Sequence, residues 1–390
     1  MKALVVNCEW QPRKGYQLSD LELRQRKALC GSQVWRQPQF AIQEVPDPVP
    51  GDDEVIIRVG ACGICGSDVH LFETDAQGYI SFSGLVKLPA ILGHEFSGTV
   101  VEVGKNTRNL RVGDPVTVES IQWCGLCTPC RSGAVNQCRQ VELLGLSTNG
   151  AFADYIAMKE KYCWPLNSLR ASYAEDDIFE IGALIEPVGC AYNGIFVSGG
   201  GLRPGETLAV YGVGPIGLAA VALGRLAGAS RIIAFDIMDR RLELATRFGA
   251  DAVFHLGNLK QANIRASHKV LELTDGVGAD VQIEAAGDAP YTIPEMEQAA
   301  GPRGRIIYLG RAEQSAAISL NGMVSGAQCL AGARGHSGYG IYPNIIRLIA
   351  AGRINFQDMI TARFPFNQIL DAFSRASQRL DGKILIKMGQ

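Results

Sequence analysis

Residues 211–217, Tyr-Gly-Val-Gly-Pro-Ile-Gly, restrict the fold more than any other stretch of the chain, because of what stands on either side of them. An apolar run of strand length, 208–211, comes before, and Leu-Ala-Ala-Val-Ala-Leu at 218–223 follows with helical composition. A glycine-rich turn alone is common and says little. With a strand before it, a helix after it and an acid about 20 residues downstream, it is the phosphate-binding turn of a β-α-β unit. Gly212 permits the tight turn, Gly214 lets the backbone approach a pyrophosphate, and Gly217 lets helix and strand pack closely. The helix N-terminus then turns its free amides toward the phosphates.

Asp236 closes the next apolar run, 231–235. A carboxylate there accepts hydrogen bonds from both ribose hydroxyls of NAD and repels a 2'-phosphate. NAD is therefore the expected cofactor, with Gly212, Gly214, Ile216, Gly217, Asp236 and Arg241 as its candidate contacts. Arg240 and Arg241 open the following helix, where their charge serves either solvent or a phosphate.

Further apolar runs at 280–284 and 305–309 alternate with helix-length stretches, which predicts a parallel sheet wound with helices. The N-terminal half differs: short strand-like runs such as 54–59 and 98–103, punctuated by Gly and Pro, predict a mostly β unit. Beyond about residue 334 come a helix over 342–351, the stretch 356–364, a helix near 366–378 and a strand over 383–387. The polar segment 9–39 interrupts the first strands, as a surface excursion or an oligomer contact.

A chain of 390 residues exceeds one ordinary core, so two domains are expected. With 47% hydrophobic residues, 19% charged and a net charge of -2, nothing points to nucleic acid or a membrane as partner. The opening apolar run is too short for a signal-peptide core, and apolar windows such as 218–226 fall short of a bilayer span. A cytoplasmic location is the expectation.

Four of the eleven cysteines fall at Cys124, Cys127, Cys130 and Cys138, and clustering of this kind indicates metal rather than disulfides. Four thiolates close a tetrahedral zinc shell with no open position, so this site is structural. A nucleic-acid-binding ribbon is disfavoured, since the loop lacks a basic and aromatic surface. The cysteines at 8, 30, 62, 163, 190 and 329 stand singly among apolar or small residues, as buried inert thiols do.

A second, dispersed set joins Cys65 in Gly-Ile-Cys-Gly-Ser-Asp-Val-His at 63–70, His94 and Glu95 in Gly-His-Glu, and Glu186 in Ile-Glu-Pro. One thiolate, one imidazole and one or two carboxylates leave a coordination position for water or substrate, which is a catalytic arrangement.

On these ordered motifs, over nearly its whole length, the chain resembles the zinc-containing medium-chain alcohol and polyol dehydrogenases. The resemblance implies an α/β protein: a GroES-like, mostly β catalytic domain with the structural zinc lobe over 1–190, a doubly wound Rossmann domain over 191–333, and a return to the catalytic domain over 334–390. It implies two zinc ions per chain and an assembly of two or four copies. Cys65 and His94 become zinc ligands, with Glu95 or Glu186 completing the set. Glu186 stands where the alcohol dehydrogenases carry a second cysteine, as in the polyol, sugar and threonine branches. A carboxylate in that place makes the metal harder and suits a hydroxyl-rich substrate.

The expected reaction is oxidation of a secondary alcohol, with Ser67 accepting the proton and His70 passing it to solvent. Asp68 is expected to orient a neighbouring group, and His336 and Glu119 to meet substrate hydroxyls. Stretches at 34–36, 74–80, 191–193, 199–201 and 335–340 are similar to the scyllo-inosose dehydrogenase subgroup, which makes a cyclitol the first expected substrate. Linear polyols, sugars, amino alcohols and aminocyclitols are the alternatives. An inactive zinc- and NAD-binding sensor or scaffold is the alternative of another class, disfavoured by the joint presence of Cys65, Ser67, His70, His94 and Glu186.

Overall fold

The computed structural model describes residues 1–311 and 314–389. The glycine-rich turn lies in a six-stranded sheet whose strands all run parallel, in the order Ala252–His255, Arg231–Asp236, Thr207–Tyr211, Ala279–Glu284, Ala300–Tyr308, Cys329–Gly332. Chain order reverses between Thr207–Tyr211 and Ala279–Glu284. A crevice opens at such a switch point beyond the carboxyl ends of the strands, and ligands of doubly wound sheets bind there. The inner strands Thr207–Tyr211 and Arg231–Asp236 are apolar runs because helices cover both faces, whereas Ala279–Glu284, expected as another such run, alternates with Asp280, Gln282 and Glu284. Two outer strands, Ala252–His255 and Cys329–Gly332, are only four residues each and half exposed.

The rest of the chain forms a mostly β unit. Its larger sheet follows the path Cys163–Pro165, Pro115–Val118, Glu95–Val103, Glu54–Gly63, Lys383–Lys387, Ile360–Pro365, with Tyr155–Lys159 also paired on Glu54–Gly63. The C-terminal strand thus lies against an early strand, Leu385 opposite Gly63. Over 356–364 the chain makes a short helical turn and then the strand Ile360–Pro365, and the helix expected near 366–378 is the shorter Ile369–Ala376.

Between the two sheets runs the helix Glu175–Tyr192, which the sequence reading did not foresee. It is apolar on nearly all sides and carries Pro187 inside it, two features that blur an amphipathic pattern. From Glu175 to Ser198 the stretch is long and apolar enough to cross a bilayer, but 72% of its apolar window is buried in protein. Gly182 explains the tight fit, since a Cβ there would stand 2.6 Å from the Ser97 side chain. Its carbonyl accepts from the Thr117 hydroxyl at 2.8 Å.

The 9–39 excursion stays against its own chain. The first strand, Lys2–Trp10, pairs with Trp35–Glu44, and between them a short helix, Asp20–Gln25, opens on a capping box of Ser19 and Glu22. The remainder lies along 78–86: Ala28 and Val86 exchange backbone hydrogen bonds, and Gln37 N donates to Gly78 O at 2.7 Å.

Candidate active site

The glycine turn has little room for side chains. Gly212 has φ +84°, and a Cβ on it would stand 2.7 Å from the backbone of Ala286, beyond the neighbouring strand. A Cβ on Gly217 would run into the Gly212 carbonyl oxygen. Gly214 faces open space except for the Arg241 guanidinium, and Ile216 is half-buried against the core. Asp236 is buried; its Oδ2 accepts from Val213 N at 2.7 Å and its Oδ1 from Ile237 N and Met238 N at 2.7 and 3.0 Å. The carboxylate is thereby fixed beside the turn, with acceptor capacity left on Oδ2. Arg241 is no solvated charge: its Nε donates to Asp381 O at 3.0 Å, and burial lowers its pKa. Arg240 is half exposed, 3.9 Å from Asp381.

In the other unit, Cys65 caps the helix Gly66–Phe72 at the end of the strand Glu54–Gly63, and its amide donates to Asp68 Oδ2 at 2.9 Å. His94 and Glu95 follow Gly93, which has φ +91° and no space for a Cβ, 2.9 Å from both Cys62 and Phe152. Gly63 lies opposite Glu95, and a side chain there would displace its carboxylate. The donor atoms of Cys65, His94 and Glu95 all lie within 4.8 Å of one another. Soft, borderline and hard donors from two chain segments suit zinc.

Around this set the structure gathers further groups. Ser67 Oγ lies 3.3 Å from His94 Nε2. Asp68 Oδ1 lies 3.6 Å from His94 Nδ1, an electrostatic contact longer than a hydrogen bond. Burial pushes the Asp68 carboxyl up to about 6, against the pull of His94. Burial disfavours protonation of His94, yet the charges of Asp68 and Cys65 raise its pKa well above the usual range. His70 is part-exposed, with Nδ1 3.6 Å from Glu73.

Lys383, which the sequence reading missed, is almost wholly buried; its ammonium pairs with Glu95 Oε2 and donates to Ile64 O at 3.1 Å. Lysine is seldom buried without a partner. Its signal in the sequence was a cation opening a strand that is otherwise core.

Glu186 stands outside the 4.8 Å set, though its charge is felt at His94, Lys383 and Cys190, so it borders the same space. Its Oε1 accepts from Ser120 Oγ at 3.0 Å and from His336 Nε2 at 2.9 Å. Burial would raise the Glu186 carboxyl, but His336 chiefly, then His94 and Ser120, hold it down at about 2. The expectation that His336 and Glu119 meet substrate is corrected. His336 is 1% exposed and engaged with Glu186, and Glu119 is buried and accepts from the indoles of Trp123 and Trp164 at 3.3 and 2.9 Å.

The four cysteines at 124, 127, 130 and 138 also fall within 4.8 Å of one another. Backbone amides point at their sulfurs: Leu126 N and Cys127 N at Cys124, Cys124 N and Gln140 N at Cys138, each 3.3–3.4 Å away. Such donors stabilise thiolate, and the amides of Arg139 and Cys130 likewise bring Cys127 down to about 6. The donor set fits a closed metal shell.

Known proteins show the same combination. Residues 51–168 match the alcohol dehydrogenase GroES-like domain, and residues 215–351 match the zinc-binding dehydrogenase family. The chain is 41% identical over 366 residues to scyllo-inosose 3-dehydrogenase of Thermotoga maritima, covering 90% of this chain and 91% of that one. A Thermotoga maritima structure described as an alcohol dehydrogenase superposes with a TM-score of 0.93 at 36% identity, covering 99% of each chain. A zinc-binding dehydrogenase from Sinorhizobium meliloti, solved with NADP, has a TM-score of 0.76 at 28% identity, covering 93% and 98%. The chain therefore belongs to the zinc-dependent medium-chain dehydrogenases and is an oxidoreductase of that family.

Proposed function

We propose that this enzyme oxidises a secondary alcohol of a cyclic polyol, of the inosose type, with NAD. The gathering of Cys65, His94 and Glu95 within 4.8 Å, with the Ser67 hydroxyl 3.3 Å from His94, carries the reading. Zinc held there supplies Lewis-acid polarisation of the substrate hydroxyl, while the nicotinamide accepts the hydride. Ser67 stands beside the ligands to take the hydroxyl proton. His70 follows on the same helix, three residues on and so on the same face, and its partial exposure opens the relay to solvent. Asp68 steadies His94 from behind. A second zinc in the four-cysteine lobe is structural.

The cyclitol rests on the scyllo-inosose relative and on where the subgroup-like stretches lie. Residues 34–36 bond with 78–80, as Trp35 O accepts from Ile80 N at 3.1 Å. Asn193 donates to the carbonyls of Arg334 and Gly335. A limit between catalytic and nucleotide-binding parts near 190, with a return from 334, and an assembly of two or four copies in the cytoplasm belong to the same reading.

Reduced nicotinamide absorbance with a panel of inososes, inositols, linear polyols, sugars and amino alcohols tests the substrate. An inosose is expected to give the highest kcat/KM. A linear polyol or amino alcohol in first place would overturn the cyclitol, and turnover of none would favour a sensor or scaffold. NAD is favoured because the Asp236 carboxylate would repel a 2'-phosphate. Asp236→Ser is expected to move the NAD/NADP ratio of kcat/KM toward NADP by about tenfold or more, about 1.4 kcal/mol. An unchanged ratio would remove that assignment.

A further inference from the structure

The loop 334–338 reaches the metal site from the far end of the chain and is pinned there from several sides. Asn136 Nδ2, in the four-cysteine lobe, donates to Arg334 O at 2.9 Å. Asn193 Nδ2 donates to Arg334 O and Gly335 O at 3.1 and 2.8 Å. Ser337 Oγ donates to Ile121 O at 3.1 Å, and Gly338 has no room for a Cβ beside Val135. This clasp delivers the His336 ring to Glu186.

The local chemistry then ties three groups together. His336 Nε2 stands 2.9 Å from both Glu186 Oε1 and Ser120 Oγ, and the Ser120 hydroxyl donates to Glu186 Oε1 at 3.0 Å, so the ring N–H reaches Oε1 directly or through the serine. His336 Nδ1 is buried and has no hydrogen-bond partner among the described residues, so it need carry no proton. Glu186 Oε2 accepts no hydrogen bond from the described residues. One oxygen is thus held by protein groups, while the other accepts from none of the described residues, on a carboxylate whose charge is felt at His94.

We infer that His336, with Ser120, is the positioning residue of the metal site: it holds Glu186 by Oε1 so that Oε2 is presented to the metal. This rests on the metal reading above. Partners that orient a ligating carboxylate typically govern metal affinity by about 10–100-fold. The clasp also ties the four-cysteine lobe to the catalytic metal through Asn136 and Arg334.

The test compares the full-length wild type with His336→Gln, which keeps an N–H donor, and His336→Leu, which removes it. The measurements are affinity for zinc at the catalytic site by chelator competition and the visible bands of cobalt placed in that site. His336→Leu is expected to lose about 10–100-fold in affinity and to shift the cobalt bands, while His336→Gln stays within a few-fold of wild type. A His336→Leu protein with wild-type affinity and bands, or a His336→Gln protein that falls as far as His336→Leu, overturns the inference. Should His336→Leu not fold, Ser120→Ala replaces it under the same two outcomes, with a loss of at least several-fold expected. Wild-type protein that takes up no metal outside the four-cysteine lobe would instead sink the metal reading itself.

Discussion

Cys65→Ser is expected to abolish alcohol oxidation while NAD still binds. The thiolate is the one soft donor in a set otherwise made of His94 and carboxylates, and it stands at the N-terminus of the helix that also carries Ser67 and His70. A serine hydroxyl is neutral near pH 7 and a poor zinc ligand, so both charge and a coordination bond are lost. Lewis-acid polarisation is worth several kcal/mol, and about 4 kcal/mol corresponds to roughly a thousandfold in kcat. The glycine turn and Asp236 are built on the other sheet, so calorimetric NAD affinity is expected to stay within a few-fold of wild type. Turnover within tenfold of wild type would show that the reaction does not depend on metal held by Cys65.

Gly217→Val is expected to damage both stability and cofactor binding. A β-carbon at 217 meets the Gly212 carbonyl oxygen, and the only relief is to move the helix Pro215–Leu226 away from the strand Thr207–Tyr211. Overpacking of this kind costs about 1–3 kcal/mol. The same displacement withdraws the helix N-terminus from the phosphates. The melting temperature should fall, and its rise on adding NAD should shrink, reporting at least about a tenfold weaker Kd, or 1.4 kcal/mol. Wild-type melting with an undiminished response to NAD would contradict the role given to the third glycine.

The two variants probe opposite kinds of legibility. Gly217 was readable because its constraint is local: strand, turn and helix are consecutive, and a few residues specify them. The four-cysteine lobe was readable for the same reason, all its donors lying between residues 124 and 138. The inner strands Thr207–Tyr211 and Arg231–Asp236 announced themselves because burial on both faces favours unbroken apolar runs. The edge strands Ala252–His255 and Cys329–Gly332 did not, since Ala-Val-Phe-His and Cys-Leu-Ala-Gly are too short to stand out from loop sequence. The helix Glu175–Tyr192 escaped because a segment buried all round has no polar face to mark its period, and Pro187 speaks against a helix.

His336 and Lys383 show where sequence ran out at the site. Each lies far along the chain from the carboxylate it holds, Glu186 and Glu95, and no spacing rule links them. His336 was a polar candidate for substrate hydroxyls; the packing of 334–338 against Ile121, Val135 and Asn193 turns it inward. By itself the sequence pointed to the chemistry: a glycine turn with its acid, four clustered cysteines, and a Cys-His-carboxylate set beside a serine. The tertiary structure decided which charge faces which, because a buried carboxylate must find its donors wherever the fold brings them, at any distance along the chain.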